Sequence, residues 1–248
     1  MALSRGPNIV TDGLVLCLDA ADKKSYSGSG DTWYDRSADN LEATLENDPS
    51  FSTAAGGCID FDGVDDYGDL GSCPTNLQMA QTCSFTITAW LRLDSGGSEN
   101  APISAFSSTS LAGWSFCSYV AAYAKQLGML VSDGADGSGY WVLQGGSNKT
   151  PELTTGRWYH IAVTISRVSG TTTIYFYQDG VVNPTPNTFT NEGGATAWGN
   201  GRTLVVGKGA TGWGNLDGQL ASVLIYDKVL SAAEINQNYN AMRGRFGL

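Results

Sequence analysis

Ser84-Phe85-Thr86-Ile87-Thr88-Ala89-Trp90-Leu91-Arg92-Leu93 is the stretch on which the fold turns. Phe85, Ile87, Ala89, Leu91 and Leu93 fall on one face and Trp90 on the other. That is the period-two pattern of a strand with one face in a core. Moving toward the N-terminus, Ile59-Asp60-Phe61-Asp62 alternates apolar and acidic residues and turns at Gly63. Residues 13–19 form an apolar run bounded by Gly13 and Asp19, apolar on both faces, as expected in the middle of a two-layer structure. Moving toward the C-terminus, short strands are predicted near 102–106, 114–119, 126–132 and 140–144, separated by Gly or Ser clusters. Residues 157–165 and 171–180 read as two long strands joined by a tight turn at Ser169-Gly170, with a second turn at Asp179-Gly180. Residues 204–207 and 218–226 supply the last strands. Ser231 with Glu234 three residues on is a capping box that opens a helix running to about Met242.

About a dozen short strands and one terminal helix, with no composition break, predict an all-β fold: a two-sheet antiparallel β-sandwich of jelly-roll type. The organisation expected is an N-terminal arm over 1–12, one domain over 13–242 and a tail over 243–248. The composition agrees, with 32 Gly and only 15% charged residues in 248, as suits many strands joined by tight turns. The net charge of −10 leaves 14 Lys and Arg scattered singly. That pattern argues against nucleic acid, whose affinity rests on clustered cations, and against an anionic membrane surface. No stretch approaches the roughly 18 apolar residues of a membrane span. The first seven residues lack the apolar core of an export signal. The five cysteines (Cys17, Cys58, Cys73, Cys83, Cys117) show no metal-type spacing, so they are expected to be free buried thiols. Cys73 and Cys83 flank a loop and would be the pair to form on oxidation.

The order of segments resembles the laminin-G-like branch of the concanavalin A-like lectin/glucanase fold. The resemblance rests on Gly13-Leu14-Val15-Leu16 with Leu18-Asp19-Ala20, on Trp33-Tyr34-Asp35-Arg36-Ser37, and on the aspartate-rich Phe61-Asp62-Gly63-Val64-Asp65-Asp66-Tyr67. It continues through Ser84-Phe85-Thr86-Ile87 before Trp90, Arg157-Trp158-Tyr159-His160, Tyr177 to Gly180, Leu216-Asp217-Gly218, and Leu230-Ser231-Ala232-Ala233-Glu234-Ile235. The two ends, residues 6–13 and 238–247, are similar to laminin-G-like virion proteins of tailed phages, including marine ones. This resemblance implies a non-catalytic virion surface component assembled in the host cytoplasm: a capsid decoration protein acting through protein contacts, or a carbohydrate-binding adhesin recognising host glycans. Capsid or other virion proteins, a second copy of the chain in a dimer or trimer, and a host glycan are the partners it implies.

The residues that could carry chemistry point the same way. Retaining glycosidases need two carboxylates roughly 5 Å apart. None of Glu42, Glu46, Glu99, Glu152, Glu192 and Glu234 lies in the Glu-x-Asp-x-Glu neighbourhood that the fold's hydrolases carry, and Asp60 and Asp62 share a strand face without a glutamate. The single His160 sits mid-strand among Trp158, Tyr159 and Ile161, as a structural histidine does, and there is no nucleophile elbow. Calcium is the cofactor to test, because oxygen donors suit it and Asp60, Asp62, Asp65, Asp66 and Asp69 fall within ten residues. The resemblance implies a rim site at Asp62, Asp65 and Asp66. Relatives often carry an acidic pair just after the last-strand Gly, where Ala221 and Ser222 stand here, and the same aspartates also suit turn capping. Trp198 with Asn200 and Trp213 with Asn215 repeat a Trp-Gly-Asn pattern in two Gly-rich loops. They read as sugar platforms, protein-contact anchors or a lid on the sandwich. Trp114 and Tyr140-Trp141 look strand-like, and core packing is expected there. Arg243 and Arg245 close an acidic chain with local positive charge and are the residues expected to meet a capsid.

Overall fold

The computed structural model describes residues 7–78, 83–95, 100–107, 112–118, 125–133, 141–143, 150–169, 171–190, 201–209 and 214–248. The strands begin with β1 (Leu14–Asp19), β2 (Thr32–Tyr34), β3 (Glu42–Glu46), β4 (Ser50–Ser52), β5 (Cys58–Asp62), β6 (Tyr67–Ser72) and β7 (Cys83–Leu93). They continue with β8 (Ile103–Ser107), β9 (Ala112–Cys117), β10 (Gly128–Asp133), β11 (Trp141–Leu143), β12 (Trp158–Val168) and β13 (Thr171–Gln178). The last are β14 (Val181–Val182), β15 (Asn187–Thr190), β16 (Thr203–Val206) and β17 (Asp217–Tyr226). A single α-helix among the described residues, α1 (Ala232–Met242), runs into a 3-10 turn over Arg243–Phe246.

All strand pairs are antiparallel. One sheet runs β14-β13-β12-β7-β17-β5-β4, with β1 on β17 and β15 on β13; the other runs β11-β10-β9-β8-β16-β6-β3-β2. This is the sandwich the alternation predicts. Phe85, Ile87, Ala89, Leu91 and Leu93 of β7 and Ile161, Val163 and Ile165 of β12 meet Ile103, Ala105, Trp114, Phe116, Met129, Val131 and Val206 of the opposite sheet in one core. Trp114 is fully buried, as its strand-like setting suggests. β12 and β13 close at Val168↔Thr171, and Ser169 takes φ 50°, the positive value a two-residue hairpin needs.

The first sheet is covered on its outer side as well. Trp90 packs there with Cys58, Ala221 and Met242 against Trp158, Tyr239 and Phe246. Val10, Cys17, Leu224, Tyr226, Leu230 and Ile235 form a second patch on that side. The register of β17 shifts between Leu220 and Ser222. This bulge lets Leu220 and Val223, three apart, both enter the inner core while Ala221 enters the outer one. β1 owes its double-sided burial to the same arrangement: Leu16 and Leu18 face the inner core and Cys17 the outer patch. The helix opens with the expected capping box, in which Ser231 Oγ accepts from the Glu234 backbone N–H and Glu234 accepts from the Ser231 N–H. Among the described residues no helix is long and apolar enough to cross a membrane.

Strands β2, β3, β4, β6 and β15 go beyond the sequence reading. They are short or rich in polar residues, so alternation alone does not mark them.

Candidate functional site

The β5–β6 turn, Asp62 to Asp66, sits at one end of the sandwich. Gly63 is there because the turn needs φ 75°, and because a Cβ at this position would lie 2.7 Å from Asp217 Cβ. Asp62 Oδ1 accepts the backbone N–H groups of Val64 (2.8 Å) and Asp65 (3.4 Å), and Asp66 Oδ2 accepts that of Asp62 (3.0 Å). The turn-capping reading of these aspartates is therefore realised. Their carboxylates also offer oxygens that all lie within 4.8 Å of one another. Asp62 Oδ2, Asp66 Oδ1 and both oxygens of Asp65 carry no hydrogen bond among the described residues. Burial, with the charges of Asp62, Asp65 and Asp48 beside it, pushes the Asp66 carboxyl above the ordinary range. Two ligands of a calcium ion at about 2.4 Å are at most about 4.8 Å apart. An all-oxygen donor set at that spacing fits such an ion, and a cation would offset the burial and the neighbouring charges that raise Asp66.

Two neighbouring segments close on this turn. Asn47 Nδ2 donates to the Asp65 carbonyl (2.8 Å) from the β3–β4 connection, where Asn47 and Asp48 both take positive φ. On the other side residues 207–209 pair with residues 214–216. Lys208 bridges to Asn215, Leu216 N–H donates to the Gly207 carbonyl, and Asn215 Nδ2 donates to the Val64 carbonyl. The expected metal residues and Asn215 are thus brought together. Trp198, Asn200 and Trp213 lie outside the described residues, as does Tyr140. Asn47, Lys208 and Asp217 were not singled out from the sequence. The Asn-Asp-Pro run at 47–49 is turn chemistry that could have marked the first.

The positions expected to match an acidic pair, Ala221 and Ser222, are buried in the first sheet, with Ser222 Oγ directed at Met242. The acidic residue opposite Asp62 is Asp217, its register partner in β17. Asp217 N–H donates to Asn100 Oδ1 (3.0 Å), and its carbonyl accepts from Asp94 N–H (3.0 Å).

Three of the residues weighed for catalysis have other occupations. Asp60 accepts from the Gln219 side chain at 3.0 Å. Glu234 caps the helix. His160 is buried beside Trp90, with ring centroids 5.3 Å apart, and burial pushes its imidazole down to about 3. Glu99 and Glu192 lie outside the described residues.

At the C-terminus, Arg245 Nη1 donates to both carboxylate oxygens of Asp19 (2.9 and 3.0 Å), and its other nitrogens reach the Ala55 and Gly57 carbonyls. Arg243 is exposed, with its guanidinium over the Tyr239 ring. The N-terminal segment lies on the helix: Val10 N–H donates to Asn238 Oδ1, and the Val10 carbonyl accepts from Tyr226.

Comparison with known proteins gives a consistent picture. A laminin-G family model described as the concanavalin A-like lectin/glucanases superfamily matches residues 62–236. No curated protein sequence matches the chain. The receptor binding domain of botulinum neurotoxin D superposes with a TM-score of 0.64 at 15% identity, over 92% of this chain and 52% of that one. The serotype D ligand binding domain in complex with N-acetylneuraminic acid gives 0.62 at 16%, over 93% and 51%. Trypanosoma rangeli sialidase in complex with sialic acid gives 0.61 at 16%, over 94% and 33%. The chain thus spans about half of the toxin fragments and a third of the sialidase. At these identities the likeness is one of fold.

Proposed function

Because this chain belongs to the laminin-G group of the concanavalin A-like lectin/glucanases superfamily, we propose that it is a non-catalytic, carbohydrate-binding module carried on the surface of a tailed-phage particle. The observation that carries the binding reading is the convergence at one end of the sandwich. Asn215 Nδ2 donates to the Val64 carbonyl of the acidic turn. That contact joins a residue of the Trp-Gly-Asn loop pattern to the candidate ion site, although they are 151 positions apart. Solved structures of similar fold include proteins in complex with sialic acids, which supports a sugar ligand. The particle setting rests on the resemblance of residues 6–13 and 238–247 to virion proteins. Arg243, exposed beside the anchored Arg245, is the terminal cation available to a capsid partner.

Calcium, when bound, would supply positive charge at the turn; Asp62, Asp65 and Asp66 are the residues that would hold it.

A glycan array probed with the purified chain, with and without calcium, tests the reading. Retention of a defined set of glycans supports it. A chain that ignores all glycans and instead binds purified phage capsids at fixed stoichiometry is a decoration protein acting through protein contacts, and the sugar reading falls.

A further inference from the structure

A polar cleft lies on the outer face of the second sheet. Along β6, Leu70 is a core residue while Tyr67 and Asp69 face away; along β16, Leu204 and Val206 are core residues while Thr203 and Val205 face away. The two strands are neighbours, with Val205 opposite Asp69. Tyr67, Asp69, Phe106, Arg202, Thr203 and Lys208 contribute to the lining of a cavity of about 330 Å³. That is the lower end of the size range of small-molecule sites. The cleft borders the acidic turn, because Tyr67 directly follows Asp66.

The cleft gathers two cations of an acidic chain on one surface. With a net charge of −10, Arg36, Arg92, Arg157, Lys228 and Arg245 each have a carboxylate within 3.4 Å. Arg202 and Lys208 have no ion-pair partner among the described residues. The Lys208 ammonium sits 3.7 Å from the centroid of the Tyr67 ring, which positions it without neutralising it. Its backbone is held on two sides, by Ser104 Oγ donating to its carbonyl (2.8 Å) and by the bridge to Asn215. The Arg202 Nε is buried and has no hydrogen-bond partner. That atom is enclosed by the protein, so it is the rest of the guanidinium, which lines the cleft, that can meet an anionic ligand oxygen. Asp69 limits what that ligand can be. Its Oδ1 accepts the Gly71 N–H (2.7 Å), and its carboxylate repels a second anionic group while accepting from hydroxyls. Thr203 adds a hydroxyl, and Phe106, only 8% exposed, adds an apolar surface.

We propose that this cleft is the sugar-combining site and that it selects saccharides bearing a single ring carboxylate, held between Arg202 and Lys208 with hydroxyls toward Asp69 and Thr203. Sialic and uronic acids share this chemistry. The inference rests on the carbohydrate-binding reading and adds the site and the ligand class to it.

The test is titration calorimetry of the full chain with sialyl and glucuronyl oligosaccharides and with the methyl esters of the same sugars. Binding of an acid form, weakened about tenfold or more in its ester, is the expected result; which acid binds identifies the source. Arg202→Met and Lys208→Met should each lower affinity about tenfold with an unchanged Tm. Lys208→Arg should retain most of the binding, which a merely structural role for this position would not require. Neutral glycans bound equally by wild type and both Met variants would overturn the cleft assignment while leaving carbohydrate binding standing. No binding to any sugar would overturn both.

Discussion

Arg245 and Asp19, 226 positions apart, meet in an ion pair in which one guanidinium nitrogen lies 2.9 and 3.0 Å from the two carboxylate oxygens. The contact fastens the last turn of the chain to the end of β1. It also sets Phe246 on Trp90, with ring centroids 3.9 Å apart and planes 9° from parallel. The C-terminal segment therefore closes the outer side of the first sheet.

Deleting residues 243–248 should therefore destabilise the fold by about 3 kcal/mol, since it uncovers Trp90 and removes an aromatic stack. Phe246→Ala should account for about 1 kcal/mol of this. Urea denaturation of the three proteins checks it. An unchanged midpoint on deletion would mean the segment contributes nothing to the fold and is free for a partner.

His160 makes stability depend on pH. Its folded pKa of about 3 lies below the unfolded value of 6.5. Protons therefore bind the unfolded chain preferentially between these values. The stability is fully present above pH 6.5 and is lost as pH falls, by about 2 kcal/mol at pH 5. Asp66 and Asp179, whose carboxyls burial raises, act in the opposite sense lower in the carboxylate range. His160→Gln should remove the loss between pH 7 and pH 5, as read by thermal unfolding at the two pH values.

Calcium at 100 times its dissociation constant should raise Tm by about 5 °C, and magnesium, which demands tighter octahedral geometry, by less. Asp66→Asn keeps the acceptor for the Asp62 N–H but removes the charge. It should abolish the calcium shift while leaving the calcium-free protein at least as stable at pH 7, because the repelled carboxylate is gone. Differential scanning fluorimetry with chelator controls reads both effects. A calcium shift that survives the substitution places the ion elsewhere.

Asp35 is 4% exposed and accepts from Cys17 N–H, Ser37 N–H, Ser37 Oγ and Leu41 N–H. Asp35→Ala leaves these donors without acceptors and should cost on the order of 3 kcal/mol. Asp35→Asn keeps one oxygen, and with it the Cys17 and Ser37 N–H bonds, so its cost should be roughly half. Sugar binding measured below the new Tm should be unchanged, since Asp35 ties the β2–β3 connection to β1 and does not line the cleft.

Much of this protein is legible in its sequence. The alternation of 84–93 dictates which face of β7 meets the core, and Ser231 with Glu234 dictates where the helix begins, because both are local consequences of backbone period and capping. The Ser169-Gly170 turn dictates the β12–β13 register for the same reason. The aspartates of 62–66 were visible as a group since they are adjacent in the chain. What only the tertiary structure decided is which distant segments share an edge. Asp217 faces Asp62 because the β5–β17 register pairs them, whereas Ala221 and Ser222 lie beyond that ladder, at the β17 bulge, and are buried. Lys208 and Arg202 look like scattered cations in the sequence. They become one cleft with Tyr67 and Asp69 only when β16 pairs with β6. Sequence records the period of a strand, but pairing between strands far apart is set by how the two faces bury together, and no local pattern encodes it.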